Sequence, residues 1–298
     1  MGWLPTSGVF RTPSWARQLA RGPVGVLVLT VFMLAMVEGS SPESADARAP
    51  TRLIAIGGYG MCGPTQMQFG AAVRSFASTR NTAMLLTLGD NDYSRNTAFD
   101  ANWQESFGWV DRVGIPISGA LGNHDIEASD GSQVFERLNM PGPYYTRTVG
   151  SIDVFVLNSN DVSGAQTRWL GRALRRSDAR WKVATMHHPA HTCGGHRSSD
   201  AVREHWVPLF EKFGVQLVLA GHDHNYQRFR ARNRVNYLVH GGGGRPAHPL
   251  RACDLGEPKL VQARAVVGLL SIVARKKALV VKAINLRGRQ IDRVAIRP

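Results

Sequence analysis

Acidic residues are few in this chain: 22 Asp and Glu stand against 36 Lys and Arg, giving a formal net charge of +14 and a pI near 10.5. That imbalance favours anionic partners such as phosphate esters, nucleic acid or an acidic cell surface, and says nothing about fold. Nucleic-acid-reading motifs are missing and no basic stripe is interleaved with aromatics, so no specific nucleic-acid partner is expected. Cysteine is scarcer still. Cys62, Cys193 and Cys253 form neither a zinc knuckle nor a C-x-x-C redox pair, and pairing of any two leaves one over. Internal repeats are absent, and residues 50–298 contain no linker, which argues for one domain. Long apolar runs are also lacking. The best, Val24–Val37, is broken by Gly25 and Thr30, and as a helix it reaches only about 21 Å of a hydrocarbon core about 30 Å thick. Arg11, Arg17 and Arg21 precede it and Ala45-Asp46-Ala47 follows. Residues 1–47 are therefore expected to be a signal peptide or, uncleaved, an amino-terminal anchor. The protein is expected to be secreted or extracytoplasmic, without stable membrane insertion after cleavage.

What is present is ordinary globular chemistry, with 43% hydrophobic and 19% charged residues. Leu53–Ile56, Leu85–Leu88, Ile117–Leu121, Trp181–Met186 and Val215–Ala220 read as short buried strands. Between them lie helical faces: Phe69, Ala72, Val73 and Phe76; Trp103, Phe107 and Val110; Trp169, Leu170, Ala173 and Leu174; Trp206, Leu209, Phe210 and Phe213. Ser163 with Gln166 predicts a capping box, and Pro208 predicts a late start or a kink in the last helix. Tyr144–Val149 and Ile152–Leu157 predict a hairpin. After residue 225 the period changes to two, predicting strands at Tyr226–Arg230, Val235–His240, Leu269–Ala274, Ala278–Asn285 and Ile291–Ile296. The reading is α/β for two thirds of residues 48–298 and β-rich at the end. Gly241–Gly244 lacks the strand–loop–helix setting of a phosphate-binding loop.

Metal-type residues recur at strand ends, where open α/β sheets place their ligands. Gly89-Asp90-Asn91-Asp92-Tyr93 follows one strand, Gly122-Asn123-His124-Asp125 the next, then His187-His188-Pro189 and Gly221-His222-Asp223-His224. Asp90 offers two oxygens and could bridge two ions; His222-x-His224 places imidazoles on alternate sides of a turn. Each residue alone has a plainer reading: a helix cap for Asp90, an αL turn for Asn123, a core histidine for His187. Together at successive strand ends they point to a metal centre.

In order and spacing, these four motifs resemble the signature of calcineurin-like metallophosphoesterases. Tyr93, three residues after Asp90, resembles the purple acid phosphatase branch. The resemblance implies a four-layer αββα sandwich, two mixed sheets flanked by helices. It implies two metal ions: Fe(III) held by Tyr93 and His224, and Zn, Mn or Fe(II) held by Asn123, His187 and His222, with Asp90 bridging. His124 becomes the proton donor to the leaving group and His196 a phosphate contact. The implied reaction is hydrolysis of small phosphate monoesters by a metal-bound hydroxide. One position departs from the pattern. The family's first motif is G-D-x-G, and Gly57-Gly58-Tyr59-Gly60 has a glycine for the aspartate. The first ion thus loses an anionic ligand, and restoring aspartate at 58 is expected to be cheap and activating. Two alternatives stand beside the monoesterase: a phosphodiesterase on nucleotides or lipid head groups, and a weakly catalytic phosphate- or cell-surface-binding protein. On the implied site, the loops of Cys193 and Cys253 lie together, so these two are expected to pair, fixing His196 and leaving Cys62 free.

Overall fold

A computed structural model describes residues 49–94, 99–230, 233–251, 253 and 258–298; the expected signal peptide or anchor at 1–47 lies outside them. In chain order the elements are β1 (Thr51–Ile56), α1 (Gly63–Ser78), β2 (Met84–Leu88), α2 (Phe99–Arg112), β3 (Ile117–Ala120), α3 (Asn123–Ser129) and α4 (Ser132–Arg137). Next come β4 (Tyr145–Val149), β5 (Ile152–Val156), α5 (Gly164–Arg176), β6 (Trp181–Met186), α6 (Asp200–His205), α7 (Val207–Lys212) and β7 (Leu217–Ala220). The remainder is β8 (Tyr226–Phe229), β9 (Asn236–His240), β10 (Leu260–Arg264), β11 (Gly268–Ala274), β12 (Leu279–Asn285) and β13 (Gln290–Ile296).

Two sheets form, in the orders β13-β12-β11-β1-β2-β3 and β10-β8-β9-β7-β6-β5-β4. Both are mixed. β1, β2 and β3 run parallel, as do β5, β6, β7 and β9, while β11 to β13 and β4, β8 and β10 pair antiparallel. Parallel strands buried on both faces need apolar residues at every position, and β1 shows why. Leu53 and Ala55 enter the core between the sheets, where they join Leu86, Val154, Val183 and Leu219. Ile54 and Ile56 face outward beneath Phe69, Val73, Trp103 and Phe107 of α1 and α2. On the far side, Phe155, Ala184 and Val218 lie under Leu170, Leu174, Trp206 and Phe210 of α5 and the helices around Trp206. The architecture is the αββα sandwich. Across the two sheets, Asp292 of β13 accepts from Tyr226 (2.7 Å) and from Arg228 Nε (2.6 Å) of β8.

Local details refine the expectations. The last helix breaks at Trp206 into α6 and α7, with Pro208 in the first turn of α7. Ser163 Oγ does accept from the Gln166 N–H (3.3 Å), but the Gln166 side chain does not complete a capping box. It instead bonds both the N–H and the C=O of Asn158, at 2.9 and 3.0 Å, and ties down the β5–α5 loop. Among the described residues, no helix is long and apolar enough to cross a membrane.

Candidate metal centre

Five parallel strands, β1, β2, β3, β6 and β7, end at one edge of the sandwich, and the four motifs meet there. Asp90 follows β2 through Gly89 and Asp90 itself, both in left-handed backbone (φ 83° and 54°). Gly89 cannot carry a side chain: a Cβ would press on the His187 ring and the Gly122 nitrogen. That close approach brings the three loops within bonding reach. Asp90 Oδ1 lies 3.2 Å from His187 Nε2 and accepts from the His124 N–H at 3.2 Å. Asp90 Oδ2 accepts from Tyr93 at 2.8 Å, and the Tyr93 oxygen lies 3.2 Å from His224 Nε2. One carboxylate therefore divides two groups of donors.

On the Oδ1 side, His187 Nδ1 donates to the Leu88 carbonyl at 2.9 Å. With Nδ1 held there, loss of the other ring proton leaves the lone pair at Nε2, the tautomer a metal ligand needs. Around that atom stand Asn123 Oδ1 at 3.2 Å and His222 Nδ1 at 3.1 Å, besides Asp90 Oδ1. Acceptor atoms converging in a buried place call for a cation between them. This set of two imidazoles, an amide oxygen and a carboxylate fits a divalent zinc, manganese or ferrous ion. His188 joins the group, with nitrogens of His187, His188 and His222 mutually within 4.8 Å.

The Oδ2 side is poorer. Among the described residues, the candidate ligands there are Asp90, Tyr93 and His224, and these three alone do not fit a trivalent iron. Gly58 adopts φ 63°, and a Cβ there would overlap the Gly241 carbonyl oxygen and stand 3.5 Å from the His224 ring. The expectation that aspartate at 58 would cost little is therefore wrong: the four-glycine loop packs its backbone where that side chain would begin. Tyr59 turns the other way. It is fully buried against Trp103 and Phe107 and donates to Asn91 Oδ1 at 3.0 Å.

Charges in the site are strongly coupled. Burial opposes the Asp90 carboxylate, but the His187 charge and hydrogen bond, with Tyr93 and His124, hold it well below the ordinary range. Burial opposes the His187 imidazolium too, and Asp90 outweighs it, so His187 is raised. Burial and neighbouring cations keep the other imidazoles neutral: His188 falls to about 4 and His224 to about 3, and His222 is lowered as well. Burial and Asp90 push the Tyr93 phenol well above its usual value, against a pull from Arg245.

His124 and His196 both line the cleft over Asp90, a space of about 360 Å³ shared with Arg245 and His248. His124 Nδ1 is 3.3 Å from Glu127 Oε2. The exposed His196 ring lies 3.9 Å from that of His222, and the His196 backbone N–H donates to the buried Asp223 Oδ1 at 3.0 Å. Every site residue expected from the sequence is thus at this edge. Reading the sequence missed four others. Asp125, fully buried, accepts from the N–H groups of Asn91, Asp92 and Gly122 at 2.7–2.8 Å and from the Asn91 side chain, sewing two ligand loops together. Burial and Asp90 push its carboxyl up to about 7. Its place in Gly122-Asn123-His124-Asp125 was the available signal. Asn91 had the same signal in Gly89-Asp90-Asn91-Asp92-Tyr93; Arg245 and His248 carried none. Cys193 and Cys253 form a disulfide and Cys62 is free, as expected.

Sheet order and site together define a two-sheet phosphoesterase sandwich with a metal centre at its strand ends. The calcineurin-like phosphoesterase family pattern matches residues 67–226, more than half the chain. Rabbit (Oryctolagus cuniculus) tartrate-resistant acid phosphatase type 5 is 28% identical over 265 residues, covering 73% of this chain and 78% of the relative. Purple acid phosphatase 3 of Arabidopsis thaliana is 23% identical, covering 74% and 72%. A purple acid phosphatase from yellow lupin (Lupinus luteus) seeds superposes with a TM-score of 0.72 at 15% identity, covering 84% of this chain and 54% of the lupin chain. This chain therefore spans about half the lupin protein. The chain belongs to the calcineurin-like phosphoesterase family, in its purple acid phosphatase-like branch. It is a metal-dependent phosphoric ester hydrolase.

Proposed function

We propose that this protein hydrolyses small phosphate monoesters outside the cytoplasm, with a divalent ion held by Asp90, Asn123, His187 and His222. The observation that carries the reading is the convergence of Asp90, Asn123 and His222 on His187 Nε2, beneath a cleft rimmed by His124, His196, His248 and Arg245. When bound, such an ion supplies positive charge to phosphoryl oxygens and lowers the pKa of water from 15.7 to about 7. The chain's own residues do the rest. His187 is held in one tautomer by the Leu88 carbonyl. Asp125 fixes the Asp90 and Asn123 loops relative to each other, so the donors are preorganised. His196, anchored through its N–H to Asp223, contacts a phosphoryl oxygen. His124, oriented through Nδ1 by Glu127, gives the Nε2 proton to the leaving alkoxide, a role worth about 10²–10⁴-fold. A monoester dianion suits a rim carrying the Arg245 guanidinium better than a diester monoanion. The Cys193–Cys253 disulfide supports an oxidising compartment and hence export.

Parallel assays on p-nitrophenyl phosphate and bis(p-nitrophenyl) phosphate test the substrate class. The monoester should turn over well ahead of the diester. Diester turnover equal or greater would replace this reading with a phosphodiesterase.

A further inference from the structure

The side of Asp90 that lacks an aspartate holds an arginine. Arg245 follows the four-glycine loop and lays its guanidinium over the Tyr93 ring, 4.4 Å from the centroid. It lines the same cleft as Asp90, His124 and His224. Set beside the family pattern G-D-x-G, this half of the centre lacks one negative charge at Gly58, and it carries a positive charge at Arg245. The two features are joined in the backbone. The segment that begins at Gly241 both fills the space beside Gly58 and leads directly into Arg245.

The loop carrying Arg245 is also built to stay in place. The His248 N–H donates to the His224 carbonyl at 2.9 Å, and the His248 ring stacks on His224 at 4.0 Å. The Arg251 N–H donates to the Cys193 carbonyl at 2.9 Å, and Cys253 closes the disulfide to Cys193 two residues later. These ties hold the segment across the mouth of the site, so the guanidinium is presented from a fixed base.

We infer that this centre works with one ion, and that Arg245 stands in for the other, gripping the phosphoryl group of the monoester opposite the ion held by His187 and His222. The inference rests on the monoesterase reading above. A guanidinium supplies two parallel N–H donors that match a pair of phosphoryl oxygens. It repels a second metal cation, whose site already lacks a carboxylate. Tyr93 then serves as the platform under Arg245 and as a donor to Asp90, rather than as an iron ligand.

The test counts metal and measures phosphate binding on the full chain. After reconstitution with excess iron and zinc, elemental analysis should find one ion per chain, and no visible tyrosinate–iron absorption should appear. Tyr93→Phe should leave that count at one. Calorimetric titration of the metal-loaded protein with inorganic phosphate should show affinity falling about tenfold or more in Arg245→Ala, with partial recovery in Arg245→Lys. Two ions per chain with tyrosinate–iron colour would overturn the inference, as would unchanged phosphate affinity in Arg245→Ala. Either result with intact monoester hydrolysis removes Arg245 from this role and leaves the monoesterase standing. One ion and Arg245-dependent phosphate binding without hydrolysis would keep this inference and remove the monoesterase.

Discussion

Replacing His187 with alanine should lower phosphate-ester hydrolysis by more than the roughly 10–100-fold typical of residues that only support a ligand, and should strip the bound ion. His187 is fully buried, and its two nitrogens do different work: Nδ1 is spent on Leu88, Nε2 faces Asp90, Asn123 and His222. The neighbouring imidazole, His188, has its Nδ1 engaged 3.0 Å from Ser159 Oγ, which holds its ring away from the position His187 fills. The alanine also orphans the Leu88 carbonyl, at a cost of about 1–3 kcal/mol, so part of the loss could come from the fold. His222→Ala separates the two effects. His222 is only half-buried, and its removal should cost the same activity and metal while leaving the unfolding midpoint nearly unchanged. Metal content and kcat measured on both variants check this; a His222→Ala protein that keeps its ion would take His222 out of the centre.

Removing the disulfide should be the largest single loss of stability. Cys193 and Cys253 are separated by 60 residues, and on the chain-entropy model a cross-link of that span stabilises by about 4 kcal/mol. The double variant Cys193→Ser, Cys253→Ser should lower the free energy of unfolding in urea by about that amount. Phosphate affinity should suffer less, because His248 and Arg251 keep their backbone bonds to His224 and Cys193. Cys62→Ser should do little, since the Cys62 thiol is free and its bonds, from the Asn102 amide and to the Gly60 carbonyl, are ones a hydroxyl can keep. A loss under about 1 kcal/mol in the double variant, against that 4 kcal/mol expectation, would mean that the unfolded chain is already constrained.

Much of this molecule was legible beforehand, for a physical reason. β1, β2, β3, β6 and β7 are buried over most of their length on both faces, so each is a largely apolar run, with isolated polar residues such as Thr87, Ser118 and Lys182. The ligands sit directly after those runs, because strand ends are where a sheet can gather donors from distant sequence. Elements with little to bury were not legible. α3 has seven residues and buries only Asp125, so no helical period marks it. β10 is an edge strand with Leu260 and Val261 exposed, and its pattern does not alternate. Gly58 shows the limit most clearly. Its identity revealed a missing ligand, but only the backbone shows that φ 63° and the Gly241 carbonyl bar an aspartate there. Arg245 was invisible for a related reason. Its nearness to Tyr93 is made by the turn of the glycine loop before it and by the ties that follow it, to His224 and Cys193, which are distant in sequence.

The central claim is that hydrolysis depends on an ion held by Asp90, Asn123, His187 and His222. The most direct measurement is the rate of p-nitrophenyl phosphate hydrolysis before exhaustive chelation, after it, and after return of zinc, manganese or ferrous iron. The account predicts loss of turnover on chelation and recovery as one equivalent of ion is restored. Turnover that survives chelation with no metal left in the protein would contradict it.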